Sequence, residues 1–364
     1  MTERWIALLG RCDKPTDAVE DYCRFLGEAL LREQNVELCI ERVAWDEAGW
    51  PSALEDLRRR TSAWRGQWIL AQYTALAWSA RGFPGRFLRV LRILRDSGAR
   101  VGIVFHDVEP YAGQRLVDKL RRKVQANVMR RALDLADSAI FTVPAEKLSW
   151  QTRKAGSVKF IPVGANLPLG PDRELSEASG RTKNLTLAVF GITGGEAGEH
   201  ETREILQAVR EAAQRAEFRL AVFGRHAEAR ETMLRDGLRD LAVDISVEGV
   251  LDGPQVVQRL RAADVLLFVR GGISTRRSSA IAAIACGLPV IARAGSETAA
   301  PITEAGVAFY EDEGKVALGA VLARTLRDAG YRAELAQRSR EAYRNHFSWS
   351  AIAKKYVAAL RRDA

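Results

Sequence analysis

Apolar and polar positions along the chain fall into two alternating rhythms. Short, largely apolar runs at 5–9, 36–43, 67–72, 101–105, 138–142 and 158–161 read as strands covered on both faces. Longer stretches of helical period lie between them, around 85–97, 114–136 and 145–155. Asp17 with Glu20 three residues on forms a capping-box pattern, and Pro51 stands where proline opens a helix. Strand and helix in regular turn predict a parallel sheet with helices on both faces.

The rhythm breaks at 163–184, rich in proline, glycine and polar residues and without a period, which reads as an interdomain connection. It resumes with runs at 185–190, 218–223, 243–247, 265–269, 289–292 and 307–309, and helical stretches at 315–328 and 331–346 close the set. The expectation is an α/β protein of two doubly wound, Rossmann-like domains, 1–165 and 166–346, facing a central cleft. In such sheets ligands sit at the carboxyl ends of the strands. Residues 347–364 carry a last apolar stripe, Phe347, Trp349, Ile352, Tyr356, Val357 and Leu360, which must be buried against something.

One loop between a strand and a helix concentrates candidate chemistry. Gly271, Gly272, Ser274, Thr275, Arg276, Arg277 and Ser278 place glycines, hydroxyls and two guanidiniums at a helix N-terminus, where unbonded backbone N–H groups attract anions. Arginine grips two phosphate oxygens at once, so a diphosphate suits the loop. The other reading is an N-cap serine beside two solvated arginines.

Length and composition narrow the class. The 364 residues exceed what one core normally serves, and 47% hydrophobic with 28% charged residues is a globular profile. No apolar run reaches the roughly 20 residues of a membrane span, and residues 1–9 lack the form of a signal peptide. Cys12, Cys23, Cys39 and Cys286 form no metal-type spacing, so they read as reduced thiols and the expected location is cytoplasmic. The net charge of +9 is uneven: residues 51–170 hold 21 Lys+Arg against 9 Asp+Glu. Arg86, Arg89, Arg92 and Arg95 repeat by three, and Lys119, Arg121, Arg122 and Lys123 follow. Residues 81–131 therefore suit either peripheral contact with an anionic membrane at its inner face or a solvated face. No nucleic-acid motif accompanies the charge.

The segments AIACGLPVIA (283–292), FGITGG (190–195), IPVGAN (161–166) and FSWSAIAKKYVAAL (347–360) together resemble the GT-B glycosyltransferases of family GT4. The resemblance implies a nucleotide-sugar donor, UDP- or GDP-linked, on the C-terminal domain and a glycan or lipid-linked acceptor on the N-terminal domain. It also implies a final helix, 347–364, that crosses back to the first domain, and retaining transfer of a hexose in polysaccharide biosynthesis. The family's Glu-x7-Glu pair is replaced at the matching positions by Ser274 and Ala282, and the usual phosphate cations of the loop after the second domain's first strand by Gly194, Gly195, Glu196, His200 and Arg203. Arg276 and Arg277 are expected to assume part of the phosphate charge. The missing carboxylates leave open a catalytically inactive relative that binds a nucleotide sugar or a partner subunit. No Asp-x-Asp or His/carboxylate cluster lies in either loop, so neither a metal nor another cofactor is expected.

In the first domain His106 ends a strand, followed by Asp107 and Glu109. The resemblance places a histidine there beside the donor sugar; a histidine bonded within a strand-end turn is the alternative. Asp107 and Glu109 either orient His106 or an acceptor hydroxyl, or cap the following helix. Arg11, Asp17, Gln72, Tyr73 and Glu109 are the acceptor-side candidates, all at strand ends.

Overall fold

The computed structural model describes residues 2–13, 17–113, 115–150, 158–170, 185–311 and 317–361. It divides into two compact units, Met1–Val163 joined by Trp349–Ala364, and Gly164–Ser348. Each unit holds one six-stranded, wholly parallel sheet.

The first sheet has the order β2-β1-β3-β4-β5-β6, from β1 (Glu3–Leu9), β2 (Val36–Arg42), β3 (Trp68–Tyr73), β4 (Arg100–Phe105), β5 (Ser138–Phe141) and β6 (Val158–Phe160). Apart from Arg100 at the start of β4, its central strands β3, β4 and β5 are buried, which is why they read as apolar runs without alternation. The crossover helices are α1 (Ala18–Gln34), α2 (Trp45–Thr61), α3 (Phe87–Asp96) and α4 (Leu116–Leu135). Helix α2 is broken at Gly49, φ 75°, so its regular part starts at Trp50–Pro51. In α3 all six apolar residues are buried while Arg89, Arg92 and Arg95 face solvent. Of the expected helix 145–155, the described part makes only one 3₁₀ turn, Ala145–Lys147; residues 151–157 lie outside the described residues, as do 14–16, 171–184, 315–316 and 362–364 of other expected segments.

The second sheet has the order β12-β11-β10-β7-β8-β9, from β7 (Leu185–Phe190), β8 (Phe218–Phe223), β9 (Asp244–Glu248), β10 (Val265–Ile273), β11 (Val290–Ala294) and β12 (Val307–Tyr310). Helices α5 (Gly195–Ala213), α6 (Glu231–Leu238), α7 (Gly253–Ala262), α8 (Ser278–Ala285), α9 (Leu318–Arg327) and α10 (Ala329–Ala342) cover it. Strand β10 runs four residues beyond its apolar run: a bulge between Phe268 and Ile273, with Gly271 at φ 72°, lets Ile273 pair with Ala294. Gly272 is required there, because a Cβ would lie 2.6 Å from Gly295 Cα. Both glycines of the candidate loop thus belong to strand geometry.

The last helix, α11 (Trp349–Arg361), belongs to the first unit and packs on α1. The Tyr22 and Tyr356 hydroxyls share a buried hydrogen bond of 2.7 Å, Trp349 stacks on Phe25 at 5.9 Å, and Arg361 pairs with Glu3 at 3.0 Å. The expected stripe divides at Ser348: Phe347 is buried in a π-turn of the second unit, and the other five residues stand on α11.

Candidate functional site

In both sheets the strand order reverses once, between β1 and β3 in the first and between β7 and β10 in the second. Diverging loops leave a crevice at such a point.

In the first unit, the loops after β1 and β3 come together there. Arg11 N donates to Ala77 O at 2.8 Å, and a Cβ on Gly10 would lie 2.3 Å from the same oxygen, so only glycine permits the approach. A pocket of about 260 Å³ opens beside them, lined in part by Arg11, Asp17, Gln72, Thr74 and Asp107. Asp17 is structurally committed: it caps α1 by accepting from Val19 N and Glu20 N, and Arg42 Nη2 lies 3.1 Å from it. Glu20 does not complete the expected capping box, because its carboxylate pairs with Arg42 at 2.5 Å. Cys12, Asp17 and Glu20 are the one group of possible metal ligands among the described residues, and the Arg42 guanidinium already serves both carboxylates.

His106 and Gln72 form a pair across this edge. Gln72 Nε2 donates to Leu70 O at 3.0 Å, which leaves Oε1 to accept from His106 Nε2 at 2.8 Å. Burial pushes the imidazole down to about 4, only partly offset by Asp17, so the ring is neutral with its proton on Nε2. Its edge contact with Tyr22, centroids 5.0 Å apart, ties it to the α1–α11 pair. Asp107 Oδ2 accepts from Ala75 N at 2.8 Å and so holds the loop after β3. Two expected acceptor-side residues lie elsewhere. Tyr73, next to Gln72 and therefore on the opposite face of β3, is wholly buried in the core between Phe87 and Phe105. Glu109 accepts from both N and Oγ of Ser149, and it does not line the pocket.

In the second unit, the reversal point brings the 191–195 loop beside the loop after β10. Gly194 is the N-cap of α5 with no side-chain cap, Gly195 has φ 67° and no atom near its missing Cβ, and the N-terminus of a 19-residue helix opens there. Glu201, buried in the second turn of α5, accepts from Thr193 N at 2.7 Å and Thr193 Oγ1 at 2.6 Å and so fixes the loop. His200 and Arg203 lie on the solvent side of α5, with side chains 69% and 62% exposed.

The two neighbouring arginines of the β10–α8 loop have different fates. Arg276 is closed by a bidentate pair, Nε and Nη2 each 2.7 Å from the Glu297 carboxylate, and Ser274 Oγ reaches the same carboxylate at 3.2 Å. Burial raises the Glu297 carboxyl, but the Arg276 bonds outweigh it and hold it below the ordinary value. Arg277 is the N-cap of α8, and its Nε is buried without a hydrogen-bond partner. Burial first, then the charge of Arg276, lowers its basicity. Arg270, at the bulge of β10, repeats the pattern: its Nε is buried and unpartnered, burial lowers its basicity, and its Nη1 would lie 3.5 Å from a Cβ on Gly191. Glu201, already bonded to Thr193, acts on both guanidiniums, and Arg277 also feels Glu297 more strongly; in neither do these carboxylates offset the burial. Thr275 is fully buried and Ser278 half-buried, at the start of α8. Sequence reasoning missed Arg270, Glu297, Glu201 and Arg42; an arginine ending the apolar run at 265–269 was the one available signal.

No family model and no curated protein matches the sequence. Solved structures do. HepE of Anabaena, in complex with UDP and glucose, is 15% identical with a TM-score of 0.66 over 99% of this chain and 100% of that one. A sucrose-phosphate synthase of Thermosynechococcus elongatus is 20% identical, TM-score 0.67, covering 99% and 98%. A putative UDP-N-acetylglucosamine 2-epimerase of Listeria monocytogenes is 13% identical, TM-score 0.61, covering 99% and 96%. These likenesses show the fold, two Rossmann-like parallel-sheet domains of the GT-B class.

Proposed function

We propose that the chain is a glycosyltransferase of GT4 type that takes its sugar from a nucleoside diphosphate, moving a hexose to a glycan or lipid-linked acceptor in polysaccharide biosynthesis with retention. The observation that carries this reading is the pair Arg270 and Arg277. A partly desolvated guanidinium with a buried unsatisfied N–H is costly unless an anion meets it, and two such groups stand at the reversal point beside an uncapped helix N-terminus. A diphosphate satisfies all three features. Neighbours of this fold solved with UDP, or named for UDP-sugar chemistry, support the choice of ligand.

Charge developing on the departing diphosphate is what the site has to offset, and Arg277, Arg270 and the N–H groups at Gly194 and Gly195 do so from positions fixed before the reaction. Arg276, Ser274 and Thr275 shape the loop rather than lead the contact, since Arg276 is already bound by Glu297. Neutral His106 offers a hydrogen-bonding nitrogen to the sugar, Asp107 stands at the same edge, and the first-unit pocket lined by Arg11, Gln72 and Asp107 takes the acceptor. Guanidinium neutralisation makes a divalent metal unnecessary, and the reaction proceeds at the cytoplasmic face.

Turnover of a panel of nucleoside diphosphate sugars, with and without acceptor sugars, tests the reading. Acceptor-dependent nucleotide release that persists in EDTA is expected. Release that collapses in EDTA and returns with Mg²⁺ removes the metal-free mechanism. Isomerised donor with no release makes the chain an epimerase, and binding without any turnover makes it a regulator.

A further inference from the structure

Eight large hydrophobic side chains are exposed among the described residues, and four of them, Tyr111, Leu116, Val117 and Leu120, fall within ten residues at the start of α4. Leu116 is 84% exposed and Leu120 56%, one turn apart on the same face, with Val117 and half-buried Val124 beside them. Exposed Lys119, Lys123 and Arg130 border this stripe on one side, and exposed Arg131 continues its line toward the end of α4. From 115 to 131 there are seven Lys and Arg and a single acid, Asp118, which is buried and paired with Arg121 at 2.7 Å. The loop 79–85 adds exposed Arg81, held by Arg121 Nε on Arg81 O at 3.0 Å. The Arg121 guanidinium also lies over Tyr111, 5.0 Å from its centroid.

We infer that the N-terminal half of α4, with Tyr111, is a docking surface for an anionic lipid membrane. A helix face with protruding leucines beside a row of cations matches a flat, negatively charged bilayer: the apolar side chains enter the headgroup boundary while the adjoining Lys and Arg meet lipid charge. It is the clustering of Tyr111, Leu116, Val117 and Leu120 that marks an interaction surface, since singly scattered exposed leucines are ordinary. The arginines of α3 do not belong to this surface, because every apolar residue of that helix is consumed by the core. Helix α4 follows the loop at the carboxyl end of β4, the sheet edge that holds His106 and Asp107, so a lipid-borne substrate would be met on the chemically equipped side of this unit. The inference stands without the donor-site reading.

Co-sedimentation with vesicles of phosphatidylcholine, with and without phosphatidylglycerol, tests it. The intact chain is expected to bind only the anionic vesicles, and less in high salt. Replacing Lys119, Arg122 and Lys123 together by Gln should weaken binding on the order of 100-fold, each cation near the surface contributing about fivefold. Leu116→Gln with Leu120→Gln should weaken it roughly tenfold. Arg89→Gln with Arg92→Gln should leave it within about threefold. All these side chains are exposed, so melting temperatures should hold. No binding to anionic vesicles overturns the inference, as does an α3 pair as damaging as the α4 triple, which would mean diffuse attraction to the whole basic half. A leucine pair that leaves vesicle binding intact but abolishes self-association in sedimentation equilibrium assigns the stripe to a second copy instead. Nucleoside diphosphate titration of the same variants, expected unchanged, keeps this result separate from the donor site.

Discussion

The two reversal points are built from the same topology and differ in how their polar groups are satisfied. At the first sheet, the acidic and amide groups are bonded inside their own unit: Asp17 to Arg42 and the α1 N-terminus, Gln72 to Leu70 and His106, Asp107 to Ala75. At the second, Arg270 and Arg277 are withdrawn from water with no bond to Nε. A self-satisfied edge is poised to shape a neutral ligand, whereas an edge with unmet positive charge is incomplete until an anion arrives.

The comparison breaks most visibly if the first edge is undermined alone. Removing residues 349–361 strips α1 of the six buried side chains of α11 and of the Tyr356 partner of Tyr22. At about 1.5–3 kcal/mol for each large apolar side chain, the loss rivals the whole stability of a domain. The first unit should melt far below its normal temperature while nucleoside diphosphate affinity, measured calorimetrically, stays within about twofold. Equal loss of both would show the two edges to be one cooperative structure.

Next in size is Arg277→Ala. Affinity for a nucleoside diphosphate should drop roughly tenfold or more, with little change for the nucleoside, while thermal stability holds or rises because an unpaired, desolvated cation has been removed. Arg276→Ala should behave inversely: stability falls by about 1–3 kcal/mol as Glu297 is left without its partner, and affinity changes less than in the Arg277 variant. Identical behaviour of the two in denaturation and titration would erase the distinction drawn between them.

The last effect, confined to acid pH, belongs to His106. Its folded value near 4 lies below the ordinary 6.5, so between those pH values the unfolded chain takes up a proton that the fold refuses. Stability should therefore fall as pH drops from 6.5 to 4, by on the order of 2 kcal/mol, and His106→Gln should flatten that part of the curve. A denaturation midpoint with the same acid slope in both proteins would place the titrating group elsewhere.

The central strands were legible because doubly covered parallel strands read as apolar runs, and the loop after β10 was legible because hydroxyls and guanidiniums accumulate there. Which arginine carries the interest was not. Arg276 and Arg277 are neighbours of the same type, and only Glu297, twenty-one residues on, distinguishes them. The role of Arg270 was hidden because strand β10 outlasts its apolar run through a bulge, which turned the arginine that ends the run into part of the strand, and Tyr73 was misplaced because a one-residue step along a strand exchanges crevice for core. The charge of 81–131 was visible in sequence, whereas the choice between α3 and α4 depends on which leucines the core consumes.

The seat of α11 on α1 also sets an order of assembly during synthesis. Residues 164–348 leave the ribosome as one uninterrupted stretch, whereas the first unit lacks its last helix until residues 349–361 emerge. Throughout that interval the apolar side of α1, with Tyr22 and its neighbours, stays uncovered and open to chaperones or to misassociation. The half of the molecule that is begun first is therefore the half that is finished last.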